Sequence, residues 1–475
     1  MEEGLTFDDV LLKPKYSQIL PKEVDVRSKL TNNIELNVPL LSSAMDTVTE
    51  SKTAIAMARE GCIGIIHKNM PANRQAEEVI KVKRAESLIV IDPVTVSPND
   101  NLEQVAALRQ KFGVNSFPVI DKGKLVGLIT KRDIIFEHDF TKKVKDIMVT
   151  DLITVNKMIG LAEAKEIMRM NKVEKLPVID KNGALKGLIT SADIRKSEVY
   201  NNALKDAKGH LMAGAAVGPK DMERTEKLVN AEVDVLVIDT AHGHSKNVID
   251  AIKNFKKHFE VDIIAGNVAT AKGAKALLDA GADAIKVGVG PGSICTTRII
   301  TGVGVPQLTA IMDCYKAVGN DIPIIADGGI LYSGDITKAL AAGASSIMIG
   351  SLFAGCEETP GKVIYMRNRK FKQYRGMGSV GAMLEGSKDR YMQDYVIDKE
   401  KLVPEGIEGV VPYKGKISEV VYQLMGGVKA GMGMIGAKNL TELRKNAEFL
   451  KITAASLKES HPHNVTILEE SPNYP

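Results

Sequence analysis

Short apolar runs alternate with alanine-rich amphipathic stretches along most of the chain. Most amphipathic stretches pass through a turn, often with a glycine, into a run that is apolar throughout. Glycine is favoured just after a helix, and a continuous apolar run predicts a strand covered on both faces, as in a parallel sheet. The eight predicted strands are Pro39–Ser42, Ile63–His67, Met212–Ala216, Val235–Asp239, Asp262–Ala265, Ala284–Gly288, Pro323–Ala326 and Ser346–Gly350.

This alternation of helix and strand predicts the α/β class with a parallel sheet. Eight such units are the number that closes a (β/α)8 TIM barrel. A doubly wound open sheet has the same local pattern and stays open as the alternative.

One internal segment, residues 92–202, departs from this rhythm and repeats itself. The stretch 114–121 recurs at 173–180, and the stretch 127–133 recurs at 187–193. Two copies of one β-α-β-β-α unit predict a pseudo-symmetric pair with a shared core. The predicted organisation is residues 1–91 as the first part of the barrel, 92–202 as two inserted repeats (about 92–147 and 148–202), and 203–475 as the second part of the barrel.

Composition narrows the class of protein further. With 63 basic and 59 acidic residues among 475, the net charge of +4 gives no support for a nucleic-acid or membrane partner. Four scattered cysteines without a C-x-x-C pair, and histidines without H-E-x-x-H spacing, argue against a disulfide framework or a structural zinc site. The start of the chain lacks a signal-peptide pattern, and no apolar run reaches spanning length, so a cytoplasmic location is expected.

Polar side chains and glycines follow nearly every predicted strand at its carboxyl end, where a (β/α)8 barrel carries its active site. An enzyme explains this clustering better than stability alone does. These polar residues and glycines include Ser43, Asp46, His67, Lys68, Asn69, Asp239, His242, His244, Asn267, Cys295, Asp327, Gly328, Gly329, Gly350 and Ser351.

The glycines after strands seven and eight occupy the place where such barrels commonly bind phosphate through backbone amides. Asp327 would repel a phosphate and suits ribose hydroxyls better. The predicted substrate is therefore a phosphorylated sugar or a nucleotide. Turn geometry alone is the alternative explanation for these glycines.

Cys295 stands in a glycine-rich loop, residues 288–300, directly after the sixth strand. A cysteine beside Thr297 and Arg298 is a candidate nucleophile. The competing interpretation is a glycine-rich turn around a buried, inert thiol.

Residues of about 370–415 are polar, charged and glycine-rich, and predict a flap at the active-site face. A solvated surface loop is the alternative. The segments 376–381 and 431–436 match G-x-G-x-x-G, but neither follows a convincing buried strand, so neither is predicted to bind a dinucleotide in the Rossmann manner.

Taken together, these motifs resemble the inosine 5'-monophosphate (IMP) dehydrogenase family in its bacterial form, along essentially the whole chain. The inserted repeats resemble tandem cystathionine-β-synthase-type (CBS-type) domains. The motifs that carry the resemblance are Leu41–Asp46, the two repeats, Gly290–Thr297, Ala326–Gly329, Tyr374–Gly378, Arg390-Tyr391 and Glu405-Gly406.

The resemblance implies that IMP is oxidised to XMP with NAD+, through a covalent thioimidate on Cys295 that water later hydrolyses. It implies Arg390 as the base that activates water, Tyr391 beside it and Thr297 in a relay. The residues implied to hold IMP are Ser43, Met45, Ser293, Asp327, Gly328, Gly329, Gly350, Ser351, Tyr374, Arg375, Gly376, Met377, Gly378 and Glu405; those implied for NAD+ are Asp239, Gly288, Val289 and Gly290.

The resemblance also implies K+ and a homotetramer. The implied K+ ligands are Gly290, Gly292 and Cys295, with Glu459, Ser460 and His461 from a neighbouring subunit. Purine nucleotides at the repeats are implied through Thr130/Asp133 and Thr190/Asp193, and an octamer built through the repeats stays open.

Two alternatives remain at this point. A GMP reductase shares the barrel and the cysteine, and the Arg390-Tyr391 pair and the long insert are expected to separate it from the dehydrogenase. A nucleotide-sensing regulatory protein with an inactive barrel is the other, and the intact Cys295, Asp327 and Arg390 argue against it.

Overall fold

The structure, a computed structural model, describes residues 2–85, 90–91, 93–156, 159–469 and 471–474. By internal contacts the chain divides into two compact units, Met1–Ala85 with Asn202–Pro475, and Glu86–Asn201. Residue 92, the predicted start of the insert, lies outside the described residues, as does the side chain of Asp193.

Eight parallel strands of the larger unit form a closed barrel. The last strand pairs with the first, Ile347 opposite Leu40, which confirms the barrel and excludes the open sheet. The strands are β1 Leu40–Ser42, β2 Ile63–Ile66, β3 Gly214–Val217, β4 Val235–Asp239, β5 Asp262–Val268, β6 Ala284–Val287, β7 Ile324–Asp327 and β8 Ser346–Ile349.

The third strand begins two residues later than the sequence predicts. Lys205 and Leu211 form an antiparallel bridge just before it, and Met212 donates its backbone N–H to Leu204. The backbone N–H of Met212 is therefore already bonded to Leu204 and not to a barrel strand, and the strand starts at Gly214.

One principal helix follows each strand. α4 shows why these segments are helical, because its buried residues Val248, Ala251, Ile252 and Phe255 recur at the spacing of one helix face. The helices are α1 Ser51–Arg59, α2 Ala72–Ala85, α3 Met222–Asn230, α4 Lys246–His258, α5 Ala271–Asp279, α6 Gln307–Val318, α7 Ser333–Ala341 and α8 Ile417–Ile435.

Side chains alternate between the barrel interior and the helix layer along each strand. In β4, Val235 and Val237 belong to the interior cluster, whereas Leu236 and Ile238 pack in the cluster that faces the helices. The same alternation directs Asp239, the last residue of β4, into the barrel at its carboxyl end. The apolar interior therefore ends in a ring of polar groups where the strands end.

Smaller elements complete the larger unit. The additional helices are Thr297–Thr301, Ser351–Ala354, Val380–Ala382, Leu440–Asn446 and Ala454–Ser460, and the additional paired strands are Val10–Leu12 with Phe449–Lys451 and Ser28–Lys29 with Glu35–Leu36.

The predicted flap is more regular than its composition suggests. Its ends form strands β10 Arg369–Arg375 and β11 Glu408–Pro412, which pair in an antiparallel sheet with β9 Val363–Met366. The segment forms a strand despite its polar composition. Its backbone pairs on both sides, and every side chain from Phe371 to Arg375 is at least partly buried.

The structure shows where the two G-x-G-x-x-G segments lie. Residues 431–436 lie at the end of α8, and residues 376–381 follow an antiparallel strand. The strand before residues 376–381 is antiparallel, and the helix that follows, Val380–Ala382, has only three residues. Residues 431–436 lie within and just after a helix and follow no strand. Neither segment is therefore the dinucleotide-binding loop of a parallel sheet, as the sequence predicts.

The smaller unit contains two similar halves, each with its own apolar core, so the prediction of one shared core was wrong. Val96 forms a parallel bridge with Val119 in the first half, and Val155 forms one with Val178 in the second. The two sequence repeats therefore have the same backbone pairing. Its strands are Val90–Ile91, Ser116–Asp121, Lys124–Thr130, Lys175–Ile179 and Leu185–Thr190, and its helices are Leu102–Phe112, Lys131–Ile134, Leu161–Asn171 and Ser191–Val199.

No helix within the described residues is both long enough and apolar enough to cross a membrane.

Candidate active site

A cleft opens at the carboxyl end of the barrel and encloses about 860 Å3, its open mouth included. The predicted residues that line it are Ser43, Met45, Asp239, Gly288, Gly290, Gly292, Ser293, Cys295, Asp327, Gly328, Gly329, Gly350, Ser351, Tyr374, Gly376, Met377, Gly378, Arg390, Tyr391 and Glu405.

Other predicted residues lie outside the lining. Thr297 contacts the cleft only through Cys295, and Val289 uses its carbonyl to accept a hydrogen bond from Arg298. Arg375 is engaged by Asp46, with Nη2 and Oδ2 2.7 Å apart, and by Glu385. These contacts with protein carboxylates do not test the predicted contact of Arg375 with substrate, which stays a prediction.

The predicted cation ligands near the C-terminus also lie outside the cleft. Glu459 and Ser460 are the exposed last residues of a short helix. His461 Nδ1 lies 2.7 Å from the Tyr474 hydroxyl.

Cys295 differs from the other three cysteines in its surroundings. It is partly exposed in the cleft, and its Sγ lies 3.1 Å from Thr297 Oγ1. Burial raises the pKa of Cys314 and of Cys356 to about 12, and raises that of Cys62 well above its usual value. The buried thiols are therefore protonated at neutral pH and unreactive, which leaves Cys295 as the accessible nucleophile.

The Cys295 loop is fixed by backbone contacts on both sides. Cys295 N–H donates to the Gly292 carbonyl at 3.0 Å, and Thr296 N–H donates to the Glu405 carbonyl at 2.9 Å. Cys295 also forms an antiparallel bridge with Gly406. The loop and the end of the flap segment therefore hold each other in position.

Arg298 supports this loop by hydrogen bonds to two backbone carbonyls. Its Nε donates to the Val289 carbonyl at 3.0 Å, and its Nη2 donates to the Val305 carbonyl at 2.6 Å. Its side chain passes so close to Gly290 that a Cβ there would meet Arg298 Cγ at 2.5 Å. The glycine is therefore required by packing as well as by its φ of +79°.

The turns after β7 and β8 face the Cys295 loop. Gly328 and Gly329 have φ values of +90° and +81°, and a Cβ on Gly350 would lie 2.6 Å from the Tyr374 hydroxyl. Burial raises the pKa of Tyr374 to about 12, so its hydroxyl stays protonated and can donate a hydrogen bond. These turns expose backbone to the cleft where the sequence predicts phosphate.

Arg390 and Tyr391 complete the cleft from the flap segment. The Arg390 guanidinium pairs with the Asp239 carboxylate, and the Arg390 carbonyl accepts from Ala241 N–H at 3.0 Å. Burial raises the pKa of Tyr391, while the Arg390 charge opposes that rise. Beside this pair, Lys68 forms an ion pair with Asp389.

The sequence predicts no role for Lys286, and for Asn267 it predicts only a position after a strand. Both line the cleft, and the Lys286 ammonium contacts Asp239, Asn267 and Asp327. A signal was present, because a lysine in the middle of an apolar strand is rarely left without a charged partner. Its partners lie far apart in sequence, so only the fold identifies them.

Comparison with known proteins places the chain among enzymes of nucleotide metabolism. The profile of a family described as "IMP dehydrogenase / GMP reductase domain" matches residues 4–463. Inosine-5'-monophosphate dehydrogenase from Aquifex aeolicus is 57% identical over 100% of this chain and 98% of that protein, and the one from Bacillus subtilis is 52% identical over the same shares.

A solved structure is also similar. It is a cysteine-to-alanine variant of GMP reductase from Trypanosoma brucei in complex with guanosine 5'-monophosphate, with 40% identity, a TM-score of 0.91, and coverage of 98% of this chain and 99% of that one. Such coverage includes the inserted unit. The expectation that the insert separates a dehydrogenase from a GMP reductase was therefore wrong. A matching profile and relatives above 50% identity along the whole length show that the chain belongs to the IMP dehydrogenase/GMP reductase family.

Proposed function

We propose that this protein oxidises IMP to XMP with NAD+. The names of its full-length relatives support the reaction. The observation that carries the chemistry is the position of Cys295, the accessible thiol, in one cleft with Asp239, Asp327 and Arg390.

In the first step, the Cys295 thiolate forms a C–S bond with C2 of the hypoxanthine ring. The hydrogen on C2 would leave with its electron pair, which NAD+ would accept when bound, and a thioimidate would remain on the enzyme. Water then adds at C2 and the C–S bond breaks, so the cysteine is regenerated. Division into two steps is the usual advantage of covalent catalysis.

The turns after β7 and β8, which face the Cys295 loop, are assigned the role of orienting the substrate. Asp327 would accept hydrogen bonds from the ribose hydroxyls, because a carboxylate accepts and does not donate. Backbone amides at Gly328, Gly329, Gly350 and Ser351 would hold the phosphate. The protonated Tyr374 hydroxyl is a further donor.

The hydrolytic step is assigned to Arg390, with Tyr391 beside it and Thr297 as a relay to the cysteine. An arginine paired with a carboxylate holds its proton, so Arg390 cannot act as a base while it contacts Asp239. We infer that the pair separates before water is activated. Asp239 is also the residue assigned to the cofactor, so the flap arginine and the cofactor share one carboxylate.

We also propose a K+ site on the Cys295 loop, formed by the carbonyls of Gly290, Gly292 and Cys295. The close approach of the loop backbone to itself, with Cys295 N–H on the Gly292 carbonyl, supports it. The remaining ligands would be Glu459, Ser460 and His461 of a neighbouring subunit in a homotetramer. Tetramer dissociation on replacement of K+ by Na+, followed by light scattering, tests the site without an activity measurement.

The inserted unit is proposed to be a pair of CBS-type repeats that bind purine nucleotides. A separate pocket of this unit is lined by Thr130 and Asp133, among other residues. Thr130 Oγ1 donates to Asp133 Oδ2 at 2.8 Å, which orients both groups at the start of the helix Lys131–Ile134. Calorimetric titration with adenine and guanine nucleotides tests this assignment, and light scattering on the same samples tests for octamers.

The test of the main reaction is absorbance at 340 nm. NADH formation from IMP and NAD+, lost in Cys295→Ala, would support the dehydrogenase. Consumption of NADPH with GMP, and none of the first reaction, would instead support a GMP reductase, which the similarity to the trypanosomal enzyme keeps as the second candidate. Neither reaction in the folded wild type would favour the regulatory protein with an inactive barrel.

A further inference from the structure

Lys286 lies inside the barrel at its carboxyl end and joins three other strands to its own. It is on β6 and is 1% exposed. Its Nζ donates to Asp239 Oδ1 on β4 at 2.8 Å, to Asp327 Oδ2 on β7 at 2.7 Å, and to Asn267 Oδ1 on β5. A lysine ammonium has three N–H donors, and here all three are used.

Asn267 makes this arrangement rigid. Its Nδ2 donates to the Gly288 carbonyl at 2.7 Å and to Asp327 Oδ2 at 2.9 Å. The carboxamide therefore has one orientation, with its oxygen toward Lys286 and its nitrogen toward Asp327. Asp327 Oδ2 accepts hydrogen bonds from both Lys286 and Asn267. The other carboxylate oxygen is left for a ligand.

The two carboxylates are close because both contact one nitrogen atom. Two like charges at such a separation in a buried site disfavour each other, and a cation between them removes that penalty. Arg390 also contacts Asp239, but it comes from the flap segment, whereas Lys286 belongs to a barrel strand. Lys286 therefore neutralises the pair whatever the flap does.

We propose that Lys286 is a positioning residue that couples the substrate and cofactor sites. It holds Asp327 for the substrate ribose and Asp239 for the cofactor in one network, so the apparent affinities for IMP and NAD+ depend together on one ammonium. This inference rests on the proposed function, since that function assigns the two carboxylates to two ligands.

The chain contains a matched control. Lys83 is also buried, and its Nζ bridges Asp234 at 2.8 Å and Asp206 at 2.9 Å. Asp234 directly precedes β4, whereas Asp239 ends it, so the two lysines serve opposite ends of the same strand. Loss of Lys83 likewise leaves two carboxylates without their shared ammonium, but Lys83 does not line the cleft.

The experiment compares the full-length wild type with Lys286→Met, Lys286→Arg and Lys83→Met in steady-state turnover of IMP and NAD+. We expect Lys286→Met to raise both KM values together by about tenfold or more, because each ligand loses an oriented charged partner. Lys83→Met should lower thermal stability and leave both KM values unchanged. Lys286→Arg retains the charge and should recover part of the loss.

The pH profile gives a second readout. Without the ammonium, one of the facing carboxylates should take up a proton nearer neutrality, so the acid limb of kcat/KM should move to higher pH in Lys286→Met but not in Lys83→Met. The other titratable groups that line the cleft are Cys295, Tyr374, Arg390, Tyr391 and Glu405, and both variants retain them.

Unchanged KM values and an unchanged acid limb in a folded Lys286→Met protein would overturn the proposal, as would changes equal to those of Lys83→Met. If Lys286→Met does not fold, the neutral variant Lys286→Gln takes its place, and unchanged KM values for both ligands in that folded variant would refute the coupling. Absence of NADH formation by the wild type would instead refute the proposed function.

Discussion

Gly328 provides a quantitative test of the turn after β7. An alanine there would keep a φ of +90°, and its Cβ would lie 3.0 Å from Pro291 Cγ and 3.3 Å from the Gly292 nitrogen. The left-handed conformation costs about 1–2 kcal/mol for an L-residue. Overpacking adds about 1–3 kcal/mol. The added methyl group pushes against the loop that carries Cys295, so the penalty falls on the geometry that binds substrate.

Alanine substitutions at two other glycines separate the conformational contribution from the overpacking contribution. Gly329 has a φ of +81°, but its nearest neighbours would be at 3.5 Å or more, so Gly329→Ala introduces strain without a clash. Gly334, in α7, has open space around it and no positive φ, so Gly334→Ala introduces neither. The overpacking contribution alone predicts that kcat/KM for IMP is at least about fivefold lower in Gly328→Ala than in Gly329→Ala.

The assay is the initial rate of NADH formation at varied IMP, with melting temperatures measured on the same samples. Gly334→Ala should match the wild type in both. Equal kcat/KM values for all three variants would refute the argument that this turn and the Cys295 loop define the substrate site. A loss confined to melting temperature would show that the turn matters for stability and not for binding.

Three other predictions follow from the same geometry. Iodoacetamide at neutral pH should add one label per chain, on Cys295, and IMP should protect it; labelling of the three buried thiols in the folded protein would contradict the burial argument. Arg390→Ala should give a single burst of NADH and then accumulate the covalent adduct, seen by mass spectrometry, whereas a burst followed by normal turnover would exclude Arg390 as the base. Removal of the smaller unit by joining Ala85 to Asn202 should leave IMP oxidation intact and abolish any effect of purine nucleotides; a folded but inactive product would contradict the modular organisation.

The relatives bear differently on these tests. Identity above 50% along the whole chain supports the reaction itself. The similarity to a GMP reductase over the insert shows that domain organisation alone does not choose between the two reactions. The choice therefore depends on side chains in the cleft, and above all on whether Arg390 and Tyr391 deliver water to the adduct.

The barrel was predictable from sequence because its signal is local. A strand covered on both faces must be apolar throughout, so Val235–Asp239 is predicted from the sequence without any tertiary information. The position of Cys295, Asp327 and Gly350 at one end follows from strand direction alone, since all parallel strands end on the same face.

Tertiary structure alone decided which of these groups contact each other. The sequence marks Lys286 as an unusual residue in an apolar strand, but it does not say that Asp239 and Asp327 lie on either side of it. Nor does it show that Arg375 is occupied by Asp46 or that Arg390 is paired with Asp239. Periodicity reports which face of an element is buried, whereas the partner of a buried charge depends on the register between strands distant in sequence, and barrel closure sets that register.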